Sequence, residues 1–351
     1  MAVFVCAGCD AVLTAEVSRV ALPAEVHQTW GNGTLLPVLM DAGTYAVDPE
    51  PSGPPWRRWD ETGAAEAEKR GVYAPVFALS YGAPGAVFVA PGDTRGTVVI
   101  PERSGGFCCG LDGRDGPNLA CGRCGQAVAT RIDDCSYWQS VRFDPDAVRG
   151  VPAEDSAPEA ESWQDWAERR ETEPPVDQAG GWSPRWAAAA GVSLAHLLAA
   201  SDGASVAVPD GPVADVFRHA LDTLLPARRP ARTAALAGPS LPAPTADIAL
   251  VPTHPRTGRT WPSPGTVAVP VAADIWVQLA YPDRHLLSMP VAGRMPGGVL
   301  RDDPLPPRPH SLFRPDWGVF LRTLARLPAV REEWLREIHE RVRNRPYADP
   351  F

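Results

Sequence analysis

The 351-residue sequence predicts an α+β chain of two domains: a mainly β N-terminal domain over residues 1–150, an acidic, proline-rich linker over 151–180, and a small α/β domain over 181–351 that ends in an amphipathic helix. Three observations carry that expectation. The length exceeds that of one typical domain. Short extended runs bounded by Pro and Gly fill the first part, whereas strand-like and helix-like patterns alternate in the last. Charge is segmented as well: residues 1–150 hold 18 acids against 12 bases, 151–180 hold 9 against 2, and 181–351 hold 15 against 19. The middle segment has little apolar content to bury, so it reads as a solvated connector. Trp163 and Trp166 depart from that texture, and their spacing suits one helical turn docked onto a domain surface.

In the first domain, extended runs are expected at Pro75–Leu79, Ala86–Val89 and Thr97–Ile100. The turn-rich Pro91-Gly-Asp-Thr-Arg-Gly96 between the last two suits a hairpin. Tyr137, Gln139, Val141 and Phe143 alternate with Trp138, Ser140 and Arg142, which predicts a further strand. In the last domain, a helix over Trp186–Ala200 precedes a β run at Ala204–Val208. Val216, Phe217, Ala220, Leu221 and Leu224 then follow at helical spacing. Extended runs at 233–236, 246–251 and 266–269 complete a small sheet. Val330, Trp334, Leu335, Ile338 and Val342 form the stripe of a closing helix.

Composition excludes several function classes. No apolar run approaches the roughly 20 residues that span a bilayer, since Gly191, Ser193 and His196 interrupt the best one. The opening residues lack the basic and apolar regions of a cleaved signal, which makes the cytoplasm the expected compartment. The arginine-for-lysine bias with abundant Ala and Pro suggests a bacterial chain of high GC content. Lys69 is the single lysine, and its surroundings match neither a phosphate loop nor a pyridoxal site. Gly-x-Gly-x-x-Gly, Gly-x-Ser-x-Gly and His-Glu-x-x-His are all missing.

Seven cysteines carry the strongest chemistry. In a reducing compartment, paired thiols serve metals or redox reactions more often than structural disulfides. Cys6-Ala-Gly-Cys9 and Cys121-Gly-Arg-Cys124 are two Cys-x-x-Cys pairs, each entered and left by apolar residues. Two such knuckles supply a closed tetrahedral site of four thiolates, with no position left for catalysis. The patches resemble the zinc-knuckle halves of zinc-ribbon proteins, and the likeness implies a structural Zn2+ held by Cys6, Cys9, Cys121 and Cys124 in a ribbon inserted in the β domain. The 111 residues between the pairs exceed the usual ribbon spacing of about 15–20. The longer loop adds roughly 1.5 kcal/mol of closure entropy, against about 10–16 kcal/mol from a structural zinc, so the insertion is tolerable. Alternatives stay open at this point: a ligand set drawing on Cys108, Cys109 or Cys135, an iron–sulfur cluster, or a redox dithiol. Those three cysteines otherwise read as small buried hydrophobes.

Asp112–Asn118 lacks the alternating carboxylates of a calcium loop and reads as a turn. Asn32-Gly-Thr34 is a chance glycosylation match, and Asp133-Asp134 reads as a solvated turn. His196, His219 and His339 read as surface or satisfied histidines. After the 204–208 and 246–251 runs, Asp210 and Thr253-His254-Pro-Arg256-Thr-Gly-Arg259 would line the carboxyl ends of parallel strands. There His254 would serve as acid or base, with Arg256, Arg259 and Asp210 beside a small anionic ligand.

The leading functional expectation is a protein-interaction or scaffolding module with a protein partner. The first alternative is an enzyme acting on a small anion in the C-terminal crevice. The second is a nucleic-acid-binding ribbon protein, for which Arg228, Arg229 and Arg232 speak and the acidic metal-bearing half does not. No membrane partner is expected.

Overall fold

The computed structural model describes residues 1–29, 35–106, 108–153, 162–163, 165–166, 174–176, 181–227, 231–282 and 311–345. Most of the segment expected to be an acidic connector lies outside them, as do Asn32-Gly-Thr34, Arg228 and Arg229. The chain mixes helices with several sheets and divides into two compact units, 1–161 with 255–258 and 162–254 with 259–351.

In the first unit, β1 (Ala2–Cys6) runs antiparallel to β11 (Val148–Pro152). Its other edge is met by residues 12–17, through the bridges Ala2↔Val17 and Val5↔Val12. A seven-stranded sheet has the order β2 (Ser18–Arg19), β3 (Thr44–Asp48), β6 (Ala86–Val89), β10 (Ser140–Phe143), β9 (Ala127–Ile132), β8 (Leu119–Cys121) and β7 (Thr97–Val99). All of its pairings are antiparallel except β2–β3. β4 (Trp56–Arg58) and β5 (Ala78–Ser80) form a separate ribbon, with the short helices α1 (Trp59–Thr62) and α2 (Ala64–Lys69) between them.

Period-two alternation sorts the sheet's side chains into two cores. Val87 and Val89 face a cluster with Phe4, Leu13, Val17, Leu119, Val128, Val141 and Phe143, which also takes in Cys6 and Cys121. Ala86 and Phe88 face Leu36, Leu39, Met40 and Trp138 on the other side. β6 is therefore buried on both faces, as its uninterrupted apolar sequence requires.

The expected hairpin between the 86–89 and 97–100 runs is not formed. Both strands exist, but β10, β9 and β8 lie between them. The loop that was to make the turn spends its backbone on the N-terminal segment instead: Ala15 N donates to Asp93 O and Arg95 N to Leu13 O. Strand propensity is local, whereas strand pairing is set by which edges the core leaves free.

The second unit holds α3 (Pro184–Ser201), β12 (Val206–Ala207), α4 (Pro212–Leu224), β13 (Arg232–Leu236), β14 (Ile248–Thr253), β15 (Val267–Ala272), α5 (Ala273–Ala280), α6 (Trp317–Arg326) and α7 (Glu333–Arg343). Its four strands are all parallel and lie in chain order β12-β13-β14-β15. Among the described residues the order never reverses, so they form no switch-point crevice of the doubly wound kind. Gly191 lets α3 approach the start of α6, since a Cβ there would stand 2.6 Å from the Asp316 carbonyl oxygen. Trp163 and Trp166 are docked on this unit: Trp163 meets His254 and Trp261 edge-on at 5.0 and 5.3 Å, and Trp166 lies 6.1 Å from Trp276.

His339 departs from the expected satisfied or surface histidine. It is buried on α7 beside Leu335, Ile338 and Val342, and its Nδ1 has no hydrogen-bond partner among the described residues. Burial, reinforced by Arg343 and Arg336, pulls its pKa down from 6.5 to about 4. The native ring stays neutral while an unfolded chain takes up a proton below about 6.5, so this stability is present above that pH and lost as pH falls to about 4. The loss is on the order of 3 kcal/mol. Thermal melts of the wild type and His339→Gln at pH 7 and pH 4.5 check it: the acid-induced drop in Tm should be smaller in the variant, and equal drops would rule the mechanism out.

Candidate metal centre

The two Cys-x-x-Cys pairs occupy turns of the same build. Cys6 ends β1, and its backbone N donates to Ala11 O while Asp10 N returns to Cys6 O, both at 2.9 Å. Cys121 ends β8, with Cys121 N to Gln126 O and Gly125 N to Cys121 O, both at 2.8 Å. The residue four positions beyond the first cysteine must adopt positive φ in each turn: Asp10 at 58° and Gly125 at 78°. Glycine does so freely and aspartate tolerates it, which is why these residue types stand there.

The fold brings the turns together although 112 positions separate Cys9 from Cys121. Cys6 Sγ lies 3.6 Å from Cys124 Sγ, and Cys9 Sγ lies 3.6 Å from Cys121 Sγ. The four sulfurs all fall within 4.8 Å of one another. A tetrahedral ion with metal–sulfur bonds of about 2.3 Å has sulfur–sulfur edges of about 3.8 Å, so the donor set fits one ion. Cys6 and Cys121 are fully buried, Cys9 is half-buried and Cys124 is exposed. The ion would thus be anchored on the core side and reach the surface at one corner.

The thiols are electrostatically unequal. Burial opposes the charged form at Cys121, but the N–H groups of Cys124 and Arg123 outweigh it and bring the pKa to about 7. Cys6 is pushed up, first by burial. At Cys9 the Ala11 N–H favours the thiolate, yet burial and the neighbouring thiols Cys124 and Cys121 drive the pKa to about 12. Thiols so close cannot all ionise without a cation between them, and a bound metal supplies that cation.

A second group lies elsewhere in the unit. Cys108, Cys109, Cys135 and Asp134 also place one ligand atom each within 4.8 Å of one another, so the structure contains two cysteine-rich groups able to hold a metal ion. The expectation of small buried hydrophobes fails for two of these residues, because Cys108 and Cys109 are exposed while Cys135 is buried. Asp134 is no solvated turn residue either: it is buried, and its carboxylate accepts N–H bonds from Cys108, Cys109, Gly110 and Cys135. The Cys109 thiol and those N–H groups hold its pKa well below the usual carboxylate range. Asp133 instead pairs with Arg131 at 2.8 Å. The turn reading of Asp112–Asn118 describes what is found, with Arg114 N donating to Asp112 Oδ1 at 3.0 Å.

The C-terminal candidates are dispersed. Asp210 follows β12 and is exposed, held 2.7 Å from Arg218 of α4. His254 follows β14, with β13 between the two strands, and its ring is buried against Trp163. Arg256 and Arg259 are exposed, and Arg256 groups with the first unit whereas Asp210, His254 and Arg259 belong to the second.

Serine at Cys6 or at Cys121 should remove the same single metal equivalent and destabilise the first unit. Metal content by elemental analysis and the melting temperature of each variant check this. Metal retained in full by Cys6→Ser would show that the pairs do not share one ion. Gly125→Val, which forces a β-branched residue into positive φ, should weaken metal retention with all four thiols intact.

The chain matches no protein-family model, no curated protein and no solved structure, so what it does must be argued from these residues.

Proposed function

We propose that the chain is a zinc-stapled binding module: Cys6, Cys9, Cys121 and Cys124 hold one structural Zn2+ in a ribbon-like arrangement, within a two-domain cytoplasmic bacterial protein that docks a protein partner. The choice of zinc rests on four thiolates in a tetrahedral set with no open position, the donor pattern of structural zinc. Its role is to fix the N-terminal strand to the β8–β9 turn.

The observation that carries the docking function is the outer ribbon of β4 and β5. Trp56 is 54% exposed and Phe77 82%, although both are large and apolar. Arginines stack on the ribbon's aromatics: Arg58 sits 5.5 Å above Phe77, and Arg57 and Arg70 lie 4.3 and 3.7 Å from Tyr81. Trp, Tyr and Arg are the residues that dominate protein interfaces, because they bury large area while keeping polar contacts. Solvating such a patch is costly, and burial against an apolar partner surface offsets that cost.

The enzymic reading has less support. His254 is packed in an aromatic cluster, and Asp210 already has an ionic partner. Nucleic acid would also stack on aromatics and arginines, but the unit that carries them is acidic.

Photo-cross-linking from position 77 of the full-length protein in its own cells should capture one protein in good yield. Capture should vanish in Trp56→Ser at unchanged Tm and persist in His254→Ala. Failure to capture any protein, or capture indifferent to Trp56→Ser, would sink the docking assignment. Salt-dependent binding of a single-stranded oligonucleotide would replace it with nucleic-acid binding.

A further inference from the structure

We infer that Cys108, Cys109 and Cys135 form a second, independent metal site: an open three-thiolate centre for a soft divalent ion, zinc being the ion of choice, with its fourth position turned to solvent.

The site is assembled by backbone that the sequence had to make permissive. Residues 108–111 run alongside the β9–β10 connection, where Leu111 and Asp133 exchange N–H to O bonds of 3.0 and 2.8 Å. Gly110 permits that contact, since a Cβ there would lie 1.9 Å from the Asp133 carbonyl oxygen. Gly106 permits the next layer, where a Cβ would lie 1.4 Å from the Gly110 carbonyl oxygen. Backbone contacts this close leave no room for any side chain, so the segment is held against residues 133–135 by design of its glycines.

Asp134 organises both arms. Its Oδ1 accepts from Cys109 N at 2.8 Å, Gly110 N at 3.1 Å, Cys135 N at 2.8 Å and the Cys109 thiol at 3.0 Å, and its Oδ2 accepts from Cys108 N at 3.1 Å. With four backbone N–H groups donating to it, the carboxylate positions the three cysteines and leaves the sulfurs as ligands. Such outer-shell anchoring is what holds first-shell ligands of metal sites in place.

This site differs in kind from the four-thiolate one. Three protein ligands leave one coordination position free, and two of the three, Cys108 and Cys109, are exposed while Cys135 is buried, whereas in the first site Cys124 alone is exposed. Binding exchanges three S–H protons, released to solvent, for three metal–sulfur bonds; the Cys109 S–H bond to Asp134 is given up while the backbone N–H bonds to the carboxylate remain, and no electron is transferred. The fourth position takes water or a thiol from solution, so the ion exchanges readily.

The test uses the full-length protein purified under reducing conditions and equilibrated with zinc chloride. Native mass spectrometry should find two zinc ions per chain, one in Cys109→Ser and one in Cys121→Ser. A chromophoric chelator should strip one equivalent from the wild type rapidly and the other slowly. Cys109→Ser should lack the rapid phase alone, and Cys121→Ser the slow phase alone. With cobalt in place of zinc, added thiol should shift the absorption bands of the wild type and of Cys121→Ser but not those of Cys109→Ser. One zinc per chain in the wild type, unchanged by Cys109→Ser, would overturn the second site while leaving the first standing. A wild-type mass 2 Da low, marking a disulfide among these thiols, would overturn it too.

Discussion

The first unit depends on one constraint: four sulfurs carried by two turns, far apart in the chain, meet at a point. Cys6 and Cys121 are also members of the principal apolar core, so the thiol group and the core are one construction. Apolar packing brings β1 and β8 to their places, and the turns that end them deliver the sulfurs. Without a cation, four adjacent thiols gain little from proximity and lose by mutual repulsion once ionised. With one, the closure of a loop of more than a hundred residues is offset many times over by the binding free energy.

The second cysteine group shows a different economy. There the organising element is a buried carboxylate, and the cysteines are arranged around it through their own N–H groups. A buried charge is tolerated only when it is well solvated by donors, and Asp134 has donors on both oxygens. The two groups thus present thiols in two ways: in the first, Cys6 and Cys121 belong to the core, and in the second, Cys108 and Cys109 stand exposed on a loop. The proposed division of labour, a staple and an exchangeable site, follows from that contrast in burial.

Element existence was legible in part: the helices at 273–280 and 317–326 and the strands at 44–48 and 127–132 were not expected from the sequence. The helix expected at 186–200 is α3, the alternation at 137–143 contains β10 in its last four residues, and the stripe at 330–342 lies on α7 from Trp334 onward, with Val330 in a separate turn. Pairing was not legible. The 86–89 and 97–100 runs were separated by good turn residues, yet their loop was drawn to residues 13–15. The same limit applies to single side chains. Asp133 and Asp134 look alike in sequence, but only one is buried, and His339 sits on an ordinary amphipathic stripe where its Nδ1 finds no partner among the described residues.

By itself the sequence determined the local chemistry: two Cys-x-x-Cys turns with residues able to adopt positive φ, strand and helix periods, and an acidic, proline-rich composition over 151–180. These are properties of a few consecutive residues, and short-range sterics and solvation fix them. Only the tertiary structure decided which thiols share a point in space, which cysteines stay exposed, and that Asp134 rather than Asp133 gathers the second group. Those outcomes depend on how distant strands compete for a common core, which is a property of the whole chain.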